Sequence, residues 1–358
     1  MRRGTKMRRS ERRNKGTIVL VIILILVILT AGGLLLYRWI TDQNKQEEQP
    51  VWLGEDTGIK DEKVEEPKIF AGDERPIAVM IDNHKGAWPH AGLNDAYCVY
   101  EIIVEGGETR LMALFKNASD DLQIGPVRSA RHYFIDYALE HDAIYTHYGW
   151  SPQAESDIST YHVNNINGIS QSEKDFWRIK KKAAPHNVLT SIKDIKEIAA
   201  KKGYSLTSNK QSPLHYVAQE VELNSEMLAN KVTIPYSTLH TTSYVYNPET
   251  KRYTRYARGV KQTDYTTGED ITTKNIIITF AENYTLNDGE NKDRQGLRET
   301  GTKKGYYITN GKVEEITCTK EARTSQTIYQ DLNGNVIDVN DGNTFIHICP
   351  IDAEVTFE

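Results

Sequence analysis

Tyr97-Cys98-Val99-Tyr100-Glu101-Ile102-Ile103-Val104-Glu105-Gly106-Gly107-Glu108-Thr109-Arg110-Leu111-Met112-Ala113-Leu114-Phe115 is the stretch whose reading decides how this chain folds. Two runs of β-branched, aromatic and apolar residues flank a Gly-Gly pair. Glycine tolerates the positive φ that a tight reversal demands, so the stretch reads as a β-hairpin rather than a crossover.

The same reading extends outward. Residues 76–81 form a short apolar run closed by Asp82-Asn83, which favour turns, and residues 143–148 are again strand-like. A helical pattern begins at Ser129, with Ser129 as the expected cap. A short helix opens at Ser151-Pro152 and runs to Ile158, with proline at its favoured first-turn position. A third helix covers residues 191–202 and stops at Gly203. These mixed elements indicate an α+β (or α/β) domain over residues 71–230, with order beginning near Arg75. From Val232 strict alternation takes over, punctuated by Asn310-Gly311, Asn333-Gly334 and Asp341-Gly342. Residues 231–358 are therefore expected to form a β-rich domain, with residues 291–305 as an exposed loop.

The N-terminus sets the location. Eight basic residues lie between Arg2 and Lys15, and an uncharged apolar run follows from Thr17 to Tyr37. About 20 helical residues cross the ~30 Å hydrocarbon core of a bilayer. Residues 1–16 are expected to be a cytoplasmic tail, 17–37 a single-pass anchor and 38–70 an acidic linker. The bulk of the chain then lies outside the cell. The rival is a signal peptide cleaved near Ala31, Gly32 and Gly33, but the run is long and continues through Leu34-Leu35-Leu36. The formal net charge is −5, and the exported part lacks the basic, aromatic-interleaved stripe of a nucleic-acid binder. Of three cysteines, Cys98 reads as a small core hydrophobe, while Cys318 and Cys349 lie where they could pair.

Chemistry-bearing residues cluster in a few places. Arg128 directly precedes the expected helix start at Ser129, and Arg131 lies in its first turn, at the positive end of the helix dipole. Guanidinium groups there call for a compensating anion. A ligand phosphate or carboxylate would serve, as would the protein's own Glu105 or Glu101 in an internal network. His147 ends a strand and leads into Tyr148-Gly149-Trp150, a common position for an active group. Ala184-Pro185-His186-Asn187 is a further polar knot; its rival reading is a loop fixed by the proline and stabilised by a local turn bond from Asn187. Asp82, Glu101, Glu105 and Glu108 offer carboxylates for acid–base work. No metal-ligand spacing, nucleophile elbow, phosphate loop or dinucleotide fingerprint occurs, so neither metal nor cofactor is expected.

Together, residues 75–83, Tyr100-Glu101, Glu105-Gly106-Gly107-Glu108-Thr109-Arg110, Gly125-Pro126-Val127-Arg128-Ser129-Ala130-Arg131, residues 147–152 and Pro185-His186-Asn187 resemble the YerB family, bacterial envelope proteins built on a domain of unknown function. Weaker cues in the second half are Tyr253-Thr254-Arg255, Gly259, Asp264, Asn275 and residues 342–346. The resemblance implies two domains and attachment to the outer face of the membrane of a Gram-positive-type bacterium. It carries no activity. The chain departs from the family's lipoprotein form, since no cysteine follows its apolar run. The expected function is binding of an anionic envelope ligand (peptidoglycan, wall polymer or lipid-linked phosphate) in a cleft lined by Asp82, Glu105, Arg110, Arg128, Arg131, His147, His186 and Asn187. The rivals are a wall hydrolase or transferase with His147 or Glu105 as base, and a scaffold that holds envelope proteins on its β-rich half.

Overall fold

The computed structural model describes residues 65–290 and 292–358. The basic tail, the apolar run and all but the last residues of the acidic linker lie outside them. Among the described residues no helix is long and apolar enough to cross a membrane.

One large mixed sheet organises the molecule. Its strands are β1 (Ile77–Asp82), β2 (Cys98–Ile103), β3 (Thr109–Phe115), β4 (Ile144–His147) and β5 (Asn165–Asn167) from the first half. A smaller sheet contains β6 (Lys231–Pro235), β7 (Thr241–Asn247) and β8 (Arg252–Ala257). The second half then returns to the large sheet with β9 (Asn275–Thr285), β10 (Gly301–Thr309), β11 (Lys312–Lys320), β12 (Ile328–Gln330) and β13 (Thr344–Pro350). The spatial order is β12-β11-β10-β9-β13-β2-β3-β1-β4-β5. Strand β13 runs parallel to both β2 and β9 and joins the two halves. The segments expected as separate domains therefore share one sheet.

The large sheet is covered on both faces, which is why its central strands read as nearly continuous apolar runs. Alternation assigns each residue a side. Ala78, Met80, Tyr100, Ile102, Met112 and Leu114 pack with helices α1 (His132–Glu140) and α2 (Pro152–Thr160). Ile77, Val79, Val99, Ile103, Leu111 and Phe115 pack with helix α3 (Ile192–Lys201) and with Val232, Ile234, Tyr244 and Tyr253 of the small sheet.

The hairpin forms as expected, β2 and β3 pairing antiparallel around residues 105–107. Gly106 and Gly107 take φ of 67° and 72°, and a Cβ on Gly107 would lie 2.9 Å from Ser237 Oγ. Ser151 and Ser191 cap α2 and α3 by accepting from Ala154 N and Asp194 N.

Four expectations change. Helix α1 begins at His132 with Arg131 at its N-cap position, and Ser129 does not cap it; the Ser129 hydroxyl donates to Tyr148 O. Ser129 is held in an extended stretch, where Arg128 N donates to Met80 O and Tyr148 N to Arg128 O, so the helix cannot start there. Residues 291–305 are largely strand. Gln295–Arg298 pairs with the outer half of β9, burying Leu297 while Arg298 faces solvent. The last linker residues dock, since Lys68 N and Ile69 N donate to the Asp341 carboxylate and Phe70 packs on the core. All three cysteines are free and buried. Cys318 on β11 and Cys349 on β13 are three strand spacings apart, roughly 14 Å at the usual interval and beyond the reach of a disulfide.

Candidate functional site: an arginine-lined cleft

Strands β1 and β2 run parallel, with β3 antiparallel between them. One edge of the sheet therefore collects the last residue of β1 (Asp82), the turn after β2 (Glu105) and the first residues of β3 (Thr109 and Arg110). Asp82 and Arg110 are direct partners in the β1–β3 register. The extended stretch before α1 crosses the same edge and delivers Arg128 and Arg131. Its neighbour, the loop before Val188, delivers His186, because Val127 N donates to Val188 O at 2.7 Å. Together these residues line an open cleft of about 410 Å³, completed by His84, Val104, Glu108, Lys292 and Arg294. The lining holds five cationic side chains against three carboxylates.

The ion pairs are uneven. Arg131 Nε meets Glu105 Oε1 at 2.5 Å, and Arg110 Nη2 stands 4.0 Å from Glu105 Oε2. Burial works to raise the Glu105 pKa, but Arg131 and Arg110 outweigh it and hold the carboxyl below its ordinary value. Arg110 is itself pushed down to about 10, first by burial and then by Arg131, so it stays cationic at neutral pH. It donates through Nη1 to Ser129 O. Arg294 is taken up by Asp288 and Glu290.

Arg128 is the exception. Its Nε lies 3.2 Å from Asp82 Oδ2 but is not aligned to donate, and none of its guanidinium nitrogens donates a hydrogen bond among the described residues. The side chain is 28% exposed, so the terminal fork is free to take a ligand. Internal pairing thus accounts for Arg131 and partly for Arg110, and leaves Arg128 open.

Directly beneath lies a buried polar network that ties the two halves together. Glu101 faces the small sheet and is fully buried, as is Arg255 on β8. Glu101 Oε2 accepts from Arg255 Nη2 at 3.0 Å, while Oε1 accepts from Asn83, Thr109 and Thr242 and lies 3.1 Å from His240 Nε2. Burial acts to raise the Glu101 pKa, yet Arg255 and His240 overcome it and hold the group well below the carboxylate range. His347 extends the network through Tyr236 and Tyr244, whose hydroxyls lie 2.8 and 3.0 Å from its ring nitrogens. Thr109 belongs to both the network and the cleft wall.

Two expected site residues lie elsewhere. His147 is enclosed, its Nδ1 2.9 Å from Gly149 O and its Nε2 3.3 Å from Asn165 Oδ1. Burial lowers its pKa to about 4. Asn187 ties its own loop, donating to Ile179 O and Lys182 O and accepting from Arg178 Nη1. Among the described residues no group of histidine, cysteine and carboxylate side chains is spaced to hold a metal ion. Sequence reasoning missed His84, Lys292 and Arg294 as lining residues, and Arg255 as the buried partner of Glu101. The odd charge in the apolar run of β2 was the available signal for the Glu101 pair.

The ends of β1 and β2 thus open, in a mixed sheet, onto an arginine-lined, carboxylate-buffered cleft. The N-terminal domain of the protein of unknown function DUF3048 matches residues 58–205, and its C-terminal domain matches residues 232–346. The chain belongs to this YerB-like family. It is 33% identical over 309 residues to "Putative lipoprotein YerB" of Bacillus subtilis (strain 168), covering 83% of this chain and 86% of that protein. The crystal structure of YerB from Bacillus subtilis superposes with a TM-score of 0.71 at 29% identity, over 82% of this chain and 96% of that one.

Proposed function

We propose that this is an extracytoplasmic protein, tethered to the membrane by residues 17–37, that binds an anionic cell-envelope ligand in the cleft around Arg128. The observation that carries the reading is the free Arg128 fork, flanked by Arg131 and Arg110 at one sheet edge. A planar guanidinium with unclaimed donors matches the oxygens of phosphate or carboxylate. The description of its relative as a lipoprotein supports an envelope location, with a spanning helix replacing the lipid in this chain. Peptidoglycan, wall polymers and lipid-linked phosphates are anionic ligands found there.

The geometry favours binding over hydrolysis: His147 is enclosed, and Arg131 and Arg110 hold the Glu105 carboxyl below its ordinary pKa, which weakens it as a base. Binding is tested with the full-length chain in nanodiscs of neutral lipid, titrated with purified anionic envelope fragments. The reading expects saturable binding that Arg128→Ala with Arg131→Ala abolishes. Unchanged binding in the double variant, or capture of only a protein partner on crosslinking in cells, contradicts it.

A further inference from the structure

We infer that the cleft selects an anion that carries a hydroxyl group close by, a hydroxylated phosphate or carboxylate, with His84 and His186 reading the hydroxyl. The inference rests on the anion-binding reading above and adds the ligand's chemical class.

The two imidazoles stack face to face, with ring centroids 4.3 Å apart and planes 14° from parallel. Both line the cleft. Their partners fix different tautomers. His186 Nδ1 lies 2.7 Å from Asp82 Oδ2; a carboxylate only accepts, so the proton sits on Nδ1 and the neutral ring presents a lone pair at Nε2. His84 Nδ1 accepts from Gly86 N at 3.1 Å, so the neutral ring carries its proton on Nε2. Neither Nε2 has a hydrogen-bond partner among the described residues, and neither belongs to the buried polar atoms left without one. The stacked pair in the cleft wall therefore offers one acceptor and one donor. A hydroxyl is the small group that donates and accepts at once.

The anion and hydroxyl positions are adjacent because one atom sets both. Asp82 Oδ2 contacts His186 Nδ1 at 2.7 Å and stands 3.2 Å from Arg128 Nε. Arg128 and His186 thus meet at a common carboxylate oxygen, and both line the cleft. Asp82 is itself fixed, since it is 4% exposed and accepts from His84 N at 3.1 Å. The close stack also depends on Gly86: a Cβ there would lie 3.2 Å from His186 Cδ2 and 3.2 Å from His84 Nδ1.

The test is calorimetric titration of the full-length chain in nanodiscs with matched ligand pairs. sn-Glycerol 3-phosphate and n-propyl phosphate differ in the hydroxyls but not in the anion; glycerate and propionate form the carboxylate pair. At least one hydroxylated ligand is expected to bind roughly tenfold tighter than its plain partner, the worth of one to two net hydrogen bonds. The pair that shows the preference identifies the anion. In His186→Phe and in His84→Phe the ratio should collapse towards one, a readout that a merely structural role for the rings would not move. Plain and hydroxylated ligands binding the wild type equally well overturns this inference and leaves the anion cleft standing. Binding of none of the four overturns both.

Discussion

Glu101→Gln removes one negative charge and one acceptor while keeping the side chain's shape. Arg255 is fully buried, and Glu101 is the carboxylate that meets it, at 3.0 Å. Two further Arg255 nitrogens, Nε and Nη1, have no hydrogen-bond partner among the described residues, which leaves Glu101 as the main counter-charge. Breaking a buried pair by neutralising one member leaves an uncompensated ion and costs about 3–5 kcal/mol. For a unit of this size that corresponds to a fall in Tm on the order of 10 °C. Thermal unfolding followed by tryptophan fluorescence on the purified full-length chain measures it. The loss should come mostly from the stranded cation, so Glu101→Gln with Arg255→Met should recover much of it. A fall of only a degree or two in the single variant refutes the reasoning. So does a double variant that loses the sum of both single effects.

Other perturbations separate the cleft from the scaffold. Arg128→Ala should lower anion affinity by about 10- to 100-fold, the worth of a charged hydrogen bond, and leave Tm nearly unchanged, by calorimetry and thermal unfolding respectively. His147→Ala should do the reverse, costing roughly 1–3 kcal/mol of stability with anion affinity preserved. Stability should also fall in acid. Burial holds His90 and His141 near a pKa of about 3 and His147 near about 4 in the folded state, against the ordinary 6.5. The unfolded chain binds those protons first, so this contribution is complete above pH 6.5. It is lost as pH falls towards 3–4, at about 1.4 kcal/mol per pH unit per histidine. Urea unfolding at a series of pH values checks the sign; stability flat from pH 7 to 5 contradicts it. Cys98, Cys318 and Cys349 should resist maleimide until the protein unfolds, and reductant should not move Tm.

Local signals made much of the scaffold legible. The Gly106-Gly107 reversal and the serines before α2 and α3 are written in adjacent residues, and the structure follows them. The sequence singled out Glu105, Arg110, Arg128 and Arg131 as candidates, but their convergence depends on the β1–β3 register and on the extended stretch beside β1. What adjacent residues do not encode is long-range pairing. Nothing in residues 344–350 announces that they insert between β2 and β9, yet that step merges the two halves. His147 was misread because a strand end can turn inward as easily as outward; here its ring closes on Gly149 and Asn165. The role of His84 was hidden for another reason. Its value lies in its stack on His186, 102 positions away, and in a tautomer set by Gly86.

The most direct measurement is a crystal structure of the protein soaked with arsenate, read by anomalous scattering. The account predicts a peak in the cleft within hydrogen-bonding distance of the Arg128 guanidinium and absent from crystals of Arg128→Ala. An empty cleft at saturating anion, or a peak that survives the substitution, contradicts it.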